Sequence, residues 1–348
     1  MAIAEAGRNG EGLFLGDVEN SPLPIERTIK RLAGGYDRLH VCLKRADGIW
    51  ACRRVQALRH DCMVVVPALI PKRSGQRIKT NRRDAVVLAR LHRAGELTGV
   101  WTPDSAHEAV RDLVRARQAG RTTFGANVSN CFPSCCVIAE STAEAAIGRW
   151  LTGAGWRARR SSNAQQIVFQ EGIDAIEDAL QRLRRLEKQV ALIVPDWSMA
   201  PVVEAYQAMR VASFLVAVTF AAEIGDVRRF DTPRQLMSFL GLVPAESSTG
   251  DTVRRRGLTL AGHRRARRAL VEAAWTYRYP RAGQRDLESQ AGGAAQARAR
   301  HRLEGADPAM RPLSLPQRDG QEAPVVVAAI AREMAAFLWA IGKELPPA

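Results

Sequence analysis

Over the first 70 positions short apolar runs alternate with amphipathic ones: GLFLG, PLPIERTIKRL, RLHVCL, a basic helix ending at His60, then CMVVVPALI. Strand, helix, strand, helix, strand is the order of an α/β layer with a mainly parallel sheet. Residues 63–67 are apolar on both faces, as a central parallel strand requires. After Ile70 and Pro71 a basic loop leads into an amphipathic helix, KRSGQRIKTNRRDAVVLARLHRAGEL. Asp84 lies at its start, close to where an open α/β sheet places its ligands. The plain reading of a lone aspartate there is a partner for the helix dipole.

The pattern then weakens. Residues 119–152 hold half of the six cysteines and show no clear helical period. Their abrupt loss of pattern, and its return at AQQIVFQEG, point to a shifted reading frame; a metal-binding trio of Cys131, Cys135 and Cys136 is the rival reading. Apolar residues recur at Phe169, Ile173, Ile176, Leu180, Leu183, Val190 and Ile193, spacings of a helix with a coiled-coil seam that Pro195 ends. That seam suits a dimerisation arm or one helix of an antiparallel pair within the chain. A further apolar helix ends near Gly225. Asp231 is expected to cap the next one, with Pro233 in its first turn. Hydroxyl residues Ser247, Ser248 and Thr249 follow, closed by Gly250. Then come seven arginines in fifteen residues: Arg254, Arg255, Arg256, Arg264, Arg265, Arg267 and Arg268. Residues 280–322 have poor helical pattern, and an apolar core helix resumes at Pro324.

Charge sharpens this picture. The 348 residues carry 51 Lys and Arg against 36 Asp and Glu, a net +15. Such an excess favours a nucleic-acid partner, because each neutralised phosphate releases a counterion; the arginine cluster reads as a phosphate-facing surface. With 46% hydrophobic residues the chain is globular. Neither a run of about 18 apolar residues nor the basic and apolar regions of a signal peptide is found, so a cytoplasmic protein with no membrane partner is expected. The cysteine spacings match no zinc module, and the histidines offer no ligand spacing.

Two blocks carry a more specific resemblance. PALIPKRSGQRIKTNRRDAVVLARLHRAGELTGVWTPDSAHEAVRDLVRAR and RFDTPRQLMSFLGLVPAESSTGDTVRRRGLTLAG resemble the transposases of insertion-sequence family one-ten, relatives of the Piv invertases. The resemblance implies a RuvC-like, ribonuclease H-like domain over residues 1–115, here truncated. It implies an irregular segment and coiled-coil arm over 116–200, and a helical C-terminal transposase domain over 201–348. The fold class expected is thus α/β plus α. Also implied are element-end and target DNA, a bridging RNA, Mg²⁺, and a homo-oligomer assembled through the coiled coil. In that family an Asp, Glu, Asp, Asp tetrad holds the metal, and a serine before the loop glycine attacks the scissile phosphate.

Carried over position by position, the tetrad is incomplete. Its first aspartate would belong to a strand before Met1. Lys44 stands about where the glutamate belongs, with Asp47 displaced along the chain. The paired aspartates correspond to Asn81 and Asp84. An amide brings no charge to Mg²⁺, and Lys44 would repel it. The nucleophile position holds Thr249, whose branched Cβ restricts its approach, with Ser248 one residue before. The expected nucleic-acid contacts are Lys79, Arg82 and Arg83 together with the seven arginines. Two functions are therefore expected: a transposase acting by metal-assisted strand exchange, or a degenerate, catalytically inactive nucleic-acid-binding remnant of one.

Overall fold

Two parallel strands, β3 (His40–Lys44) and β4 (Asp61–Val65), joined through the helix α2 (Gly48–Ala57), form a βαβ unit. Val64 and Val65 are buried on opposite faces of β4, which explains its unbroken apolar text. A short strand β5 (Gly99–Val100) adds antiparallel to β4, giving the order β3-β4-β5. On α1 (Pro22–Ala33) residues Ile25, Ile29 and Leu32 share one face and pack toward Leu39 and Val55. The computed structural model describes residues 1–6, 11–44, 48–71, 80–131, 163–209, 212–248, 252, 254–276 and 323–345, and the fold is given for these.

The expected α/β order is present, but the first strand lies elsewhere. β2 (Gly12–Phe14) pairs antiparallel with β1 (Ala2–Ala4) in a separate two-stranded ribbon. Three-residue strands satisfy each other, and the ribbon rests on α3 (Asn81–Arg93), where a Cβ on Gly12 would collide with Val86. Among the described residues the parallel content is thus one strand pair.

The chain divides into two compact units, Met1–Asp104 and Ser105–Ala348. The second opens with α4 (Ser105–Cys131) and α5 (Asn163–Ile193), which pack as an antiparallel pair. Arg117 pairs with Glu187, Gly120 faces Leu186, and Asn127 donates to the Ala175 carbonyl, so the partners' numbers fall as those on α4 rise. Helix α4 runs on through residues 119–131, where the sequence shows no clear period. Gly120 is buried in the pair, so its missing side chain becomes a packing feature. Of the expected seam, Ile176 and Val190 are buried.

Among the described residues this unit has five further helices: α6 (Ala200–Tyr206), α7 (Phe214–Ile224), α8 (Pro233–Leu240), α9 (Arg264–Trp275) and α10 (Ala323–Glu344). Apolar almost all round, α7 has to be buried, and Ala217, Val218, Phe220, Ala221, Ala222 and Ile224 are. Length and composition would let α10 span a membrane, yet its Val327, Ile330, Ala331, Met334 and Leu338 face sits in this core. Among the described residues the protein is mixed α/β and mostly helical, with ten α-helices and three small sheets.

Candidate nucleic-acid interface

In the first unit the expected metal residues gather at the start of α3. Thr80 caps it, its Oγ1 accepting the Arg83 N–H at 3.2 Å. Asn81 and Asp84, three residues apart, share one face of the first turn. Arg82 lies over the Phe14 ring, and Arg83 is exposed. The end of β3 brings Lys44 against this turn, Nζ 3.2 Å from Asp84 Oδ2, with the two side chains 40% and 38% exposed. Lys79 and Asp47 lie outside the described residues.

These groups do not fit Mg²⁺. The ion needs near-octahedral oxygen ligation with carboxylate charge. Here one carboxylate already faces an ammonium, and its neighbour is a neutral amide. Among the described residues no three His, Cys, Asp or Glu side chains could share an ion.

In the second unit the hydroxyl loop belongs to a β-hairpin between α8 and α9. The cap of α8 is Thr232, not Asp231: Thr232 directly precedes Pro233 and its Oγ1 reaches the Gln235 N–H at 3.3 Å. Asp231 instead donates its N–H to the Gln235 side chain at 2.8 Å. Gly241, at φ 68°, ends α8 in the left-handed region. Strands β6 (Pro244–Glu246) and β7 (Arg255–Leu258) then pair antiparallel, and Ser247 N–H to Arg254 C=O extends the ladder at 2.9 Å. Ser248 sits toward the tip, exposed, donating its hydroxyl hydrogen bond to Glu246 at 2.6 Å. Thr249 lies outside the described residues.

The seven arginines are not equivalent. Arg255 and Arg256 are on β7. Arg267 donates to the Leu240 carbonyl at 2.8 Å, tying α9 to the end of α8. Arg268 pairs with Glu272, which also receives Arg121 of α4. Arg254 and Arg264 are exposed, with no ion-pair partner among the described residues.

A buried ion pair lies beneath them. On apolar α7 the Glu223 side chain is 1% exposed, and Arg115 of α4 grips its carboxylate with two hydrogen bonds of 2.9 and 2.7 Å. From the α9 side, His263 Nε2 is 3.4 Å away and Arg265 Nε is 4.0 Å away. Burial pushes the Glu223 carboxyl up, but the Arg115 hydrogen bond and the Arg115 and Arg265 charges, joined by His263 when it is protonated, hold it below its ordinary value. His263 is held low mainly by burial, with Arg115, Arg265 and Arg229 adding to the effect against the pull of Glu223. Nearby, burial pulls the Arg229 guanidinium down to about 10, against Asp226. Arg229 stacks on Phe230 and Phe239 at 4.7 and 4.9 Å.

Several of these participants carried no role in the sequence, among them Glu223, His263, Glu246 and Arg115. For Glu223 a signal exists, since a single acid in the apolar text FLVAVTFAAEI must be paired if that helix is buried. The partner Arg115, 108 residues away, has no such signal.

Residues 205–302 match the family model described as Transposase IS116/IS110/IS902 family. The chain is 42% identical over 361 aligned residues to y4qE of Sinorhizobium fredii (strain NBRC 101917 / NGR234), provisionally named a transposase; the match covers 99% of this chain and 85% of that protein. It is 23% identical over 292 residues to the transposase for insertion sequence element IS1533 of Leptospira borgpetersenii, covering 79% and 81% of the two.

Proposed function

The chain belongs to the IS116/IS110/IS902 family of transposases, and we propose that it binds element-end and target DNA without carrying out metal-assisted strand exchange. The observation that carries this reading is the Lys44–Asp84 pair: the protein's own ammonium faces the carboxylate a divalent ion would need. DNA binding draws on Arg254 and Arg264, exposed around the β6–β7 hairpin and the start of α9, and on the net +15 charge.

Within the same proposal the first unit is RuvC-like, supported by the β3-α2-β4 unit leading to Asp84 at the head of α3. The α4–α5 pair is a coiled-coil arm through which copies assemble, supported by the exposed Ile167 and Val168 near its far end. A bridging RNA fits the same excess of positive charge, and the cytoplasm is where these partners meet.

Incubating the purified chain with element-end DNA, its RNA and Mg²⁺ should yield no covalent protein–DNA adduct, while DNA binding persists and weakens steeply with salt. An adduct would sink the inactive reading. One observation favours that rival, an active enzyme: the Ser248 hydroxyl already points its proton at the Glu246 carboxylate, 2.6 Å away, as a nucleophile with a base would. In that case Ser248→Ala abolishes the adduct.

A further inference from the structure

A surface that meets phosphate has no need of a buried acid, yet Glu223 is buried directly under the turn that starts α9. Removing a carboxylate from water is costly unless charge and hydrogen bonds replace the solvent. Arg115 supplies the hydrogen bonds from α4, and His263 at the cap of α9 adds a contact, with the Arg265 charge further off.

His263 works in two directions at once. Its Nδ1 accepts the Ala266 N–H at 3.4 Å as the cap of α9, which leaves the Nε2–H to face Glu223. A neutral imidazole with its proton on Nε2 satisfies both contacts. Phe239 stacks on the ring at 5.8 Å. The backbone into this residue is equally fixed. The His263 N–H donates to the Phe239 carbonyl at 2.8 Å, and the Leu260 N–H donates to Gly241 at 3.2 Å. Gly262 has φ 144°, and a Cβ there would run into the Phe239 carbonyl.

We propose that Glu223 and His263 are positioning residues: together they fix the direction in which the first turn of α9 presents Arg264 and Arg265 to a duplex DNA phosphate. The proposal rests on the reading of α9 as a phosphate-facing surface. Arg264 follows His263 directly, so any swing of the capping residue moves it. Arg265, 56% exposed and 4.0 Å from Glu223, is beyond hydrogen-bond range of that carboxylate and remains open to a phosphate. Arg267 and Arg268, held by Leu240 and Glu272, brace the helix.

The test uses the full chain and a fluorescently labelled duplex, titrated by anisotropy at several salt concentrations, with helical melting followed by circular dichroism. His263→Asn keeps a good capping side chain but loses the imidazole that bridges to Glu223. Binding by H263N should weaken by about 5- to 10-fold and its salt slope should fall by about one, with little change in melting. Arg264→Ala should do the same, and the double variant should lose much less than the sum of the two single losses, because His263 acts chiefly through Arg264, the residue it directly precedes. Wild-type affinity in H263N overturns the proposal, as do losses that simply add in the double variant. Glu223→Gln should reproduce the H263N loss; if it does not fold, H263N decides alone. A salt-independent wild type, or an R264A variant that binds normally, overturns the phosphate-facing reading itself. That failure shows in proteins whose Glu223–His263 pair is intact, which distinguishes the two.

Discussion

Lys44 shows how one side chain redirects a site. At the end of β3 it sits 3.2 Å from Asp84, so that carboxylate already faces a cation fixed to the chain. Adding millimolar Mg²⁺ or Mn²⁺ should therefore leave the thermal midpoint unchanged. A rise on Mn²⁺ addition that Asp84→Asn removes would show that the carboxylate is still open to metal. Glu223 gives the opposite case, a charge that cannot be removed cheaply. Glu223→Ala would leave the Arg115 guanidinium without its partner and should cost about 3–5 kcal/mol in chemical denaturation. Acid should act through the same residues. Glu223 titrates below its ordinary 4.5 in the folded chain, so its contribution is complete above about pH 4.5 and is lost as the pH falls through the folded value. His263 titrates below its ordinary 6.5, so the unfolded chain takes up that proton first and stability starts to fall below about pH 6.5. His92 in the first unit, lowered chiefly by burial, acts the same way. The melting temperature should be flat above pH 7 and decline below it, and H263N should lose part of the upper decline.

At the scale of elements, α8, the β6–β7 hairpin and α9 behave as one construction, because Gly241, Gly262 and Arg267 lock the two helix ends together. Gly262→Ala meets both a collision with Phe239 and an unfavourable φ, and should destabilise the protein by at least 1–3 kcal/mol, roughly, as read by denaturant midpoint. The α4–α5 pair gives a plainer prediction: Ile176, 2% exposed, cut to alanine should cost about 2–5 kcal/mol. Legibility in the sequence followed locality. Periodicity marked α5 and α10, and Pro233 and Gly225 marked helix ends, because each signal lies within a few residues of what it controls. The hairpin was hidden because Pro244, Ala245 and Glu246 have little strand preference and pair only because both helix ends are anchored. The helical stretch 119–131 was hidden because Gly120, a poor helix former, packs against Leu186 of α5, far along the chain. The arginine cluster was visible as charge, but which arginines brace and which face outward depended on Leu240 and Glu272.

For the whole molecule, the first unit is small and held by Ile29, Leu39 and Val55, whereas the second owns the large core. That core joins residues far apart in sequence: Arg121 to Glu272 spans 151 positions, and Phe230 accepts a hydrogen bond from Trp339 across 109. Contacts of such separation predict slow folding for the second unit, measurable as a refolding rate well below that of a local helical bundle. The placement of α10 carries a consequence in time. During synthesis α7, α8 and α9 leave the ribosome while α10, whose Met334 and Leu338 help to fill the core they share, is still being translated. At about 5–20 residues per second, the interval between the last residue of α9 and the first of α10 amounts to a few seconds. Through those seconds the chain displays its arginines on helices that lack their apolar cover. The newborn chain thus presents its positive charge before the core that fixes those helices is complete.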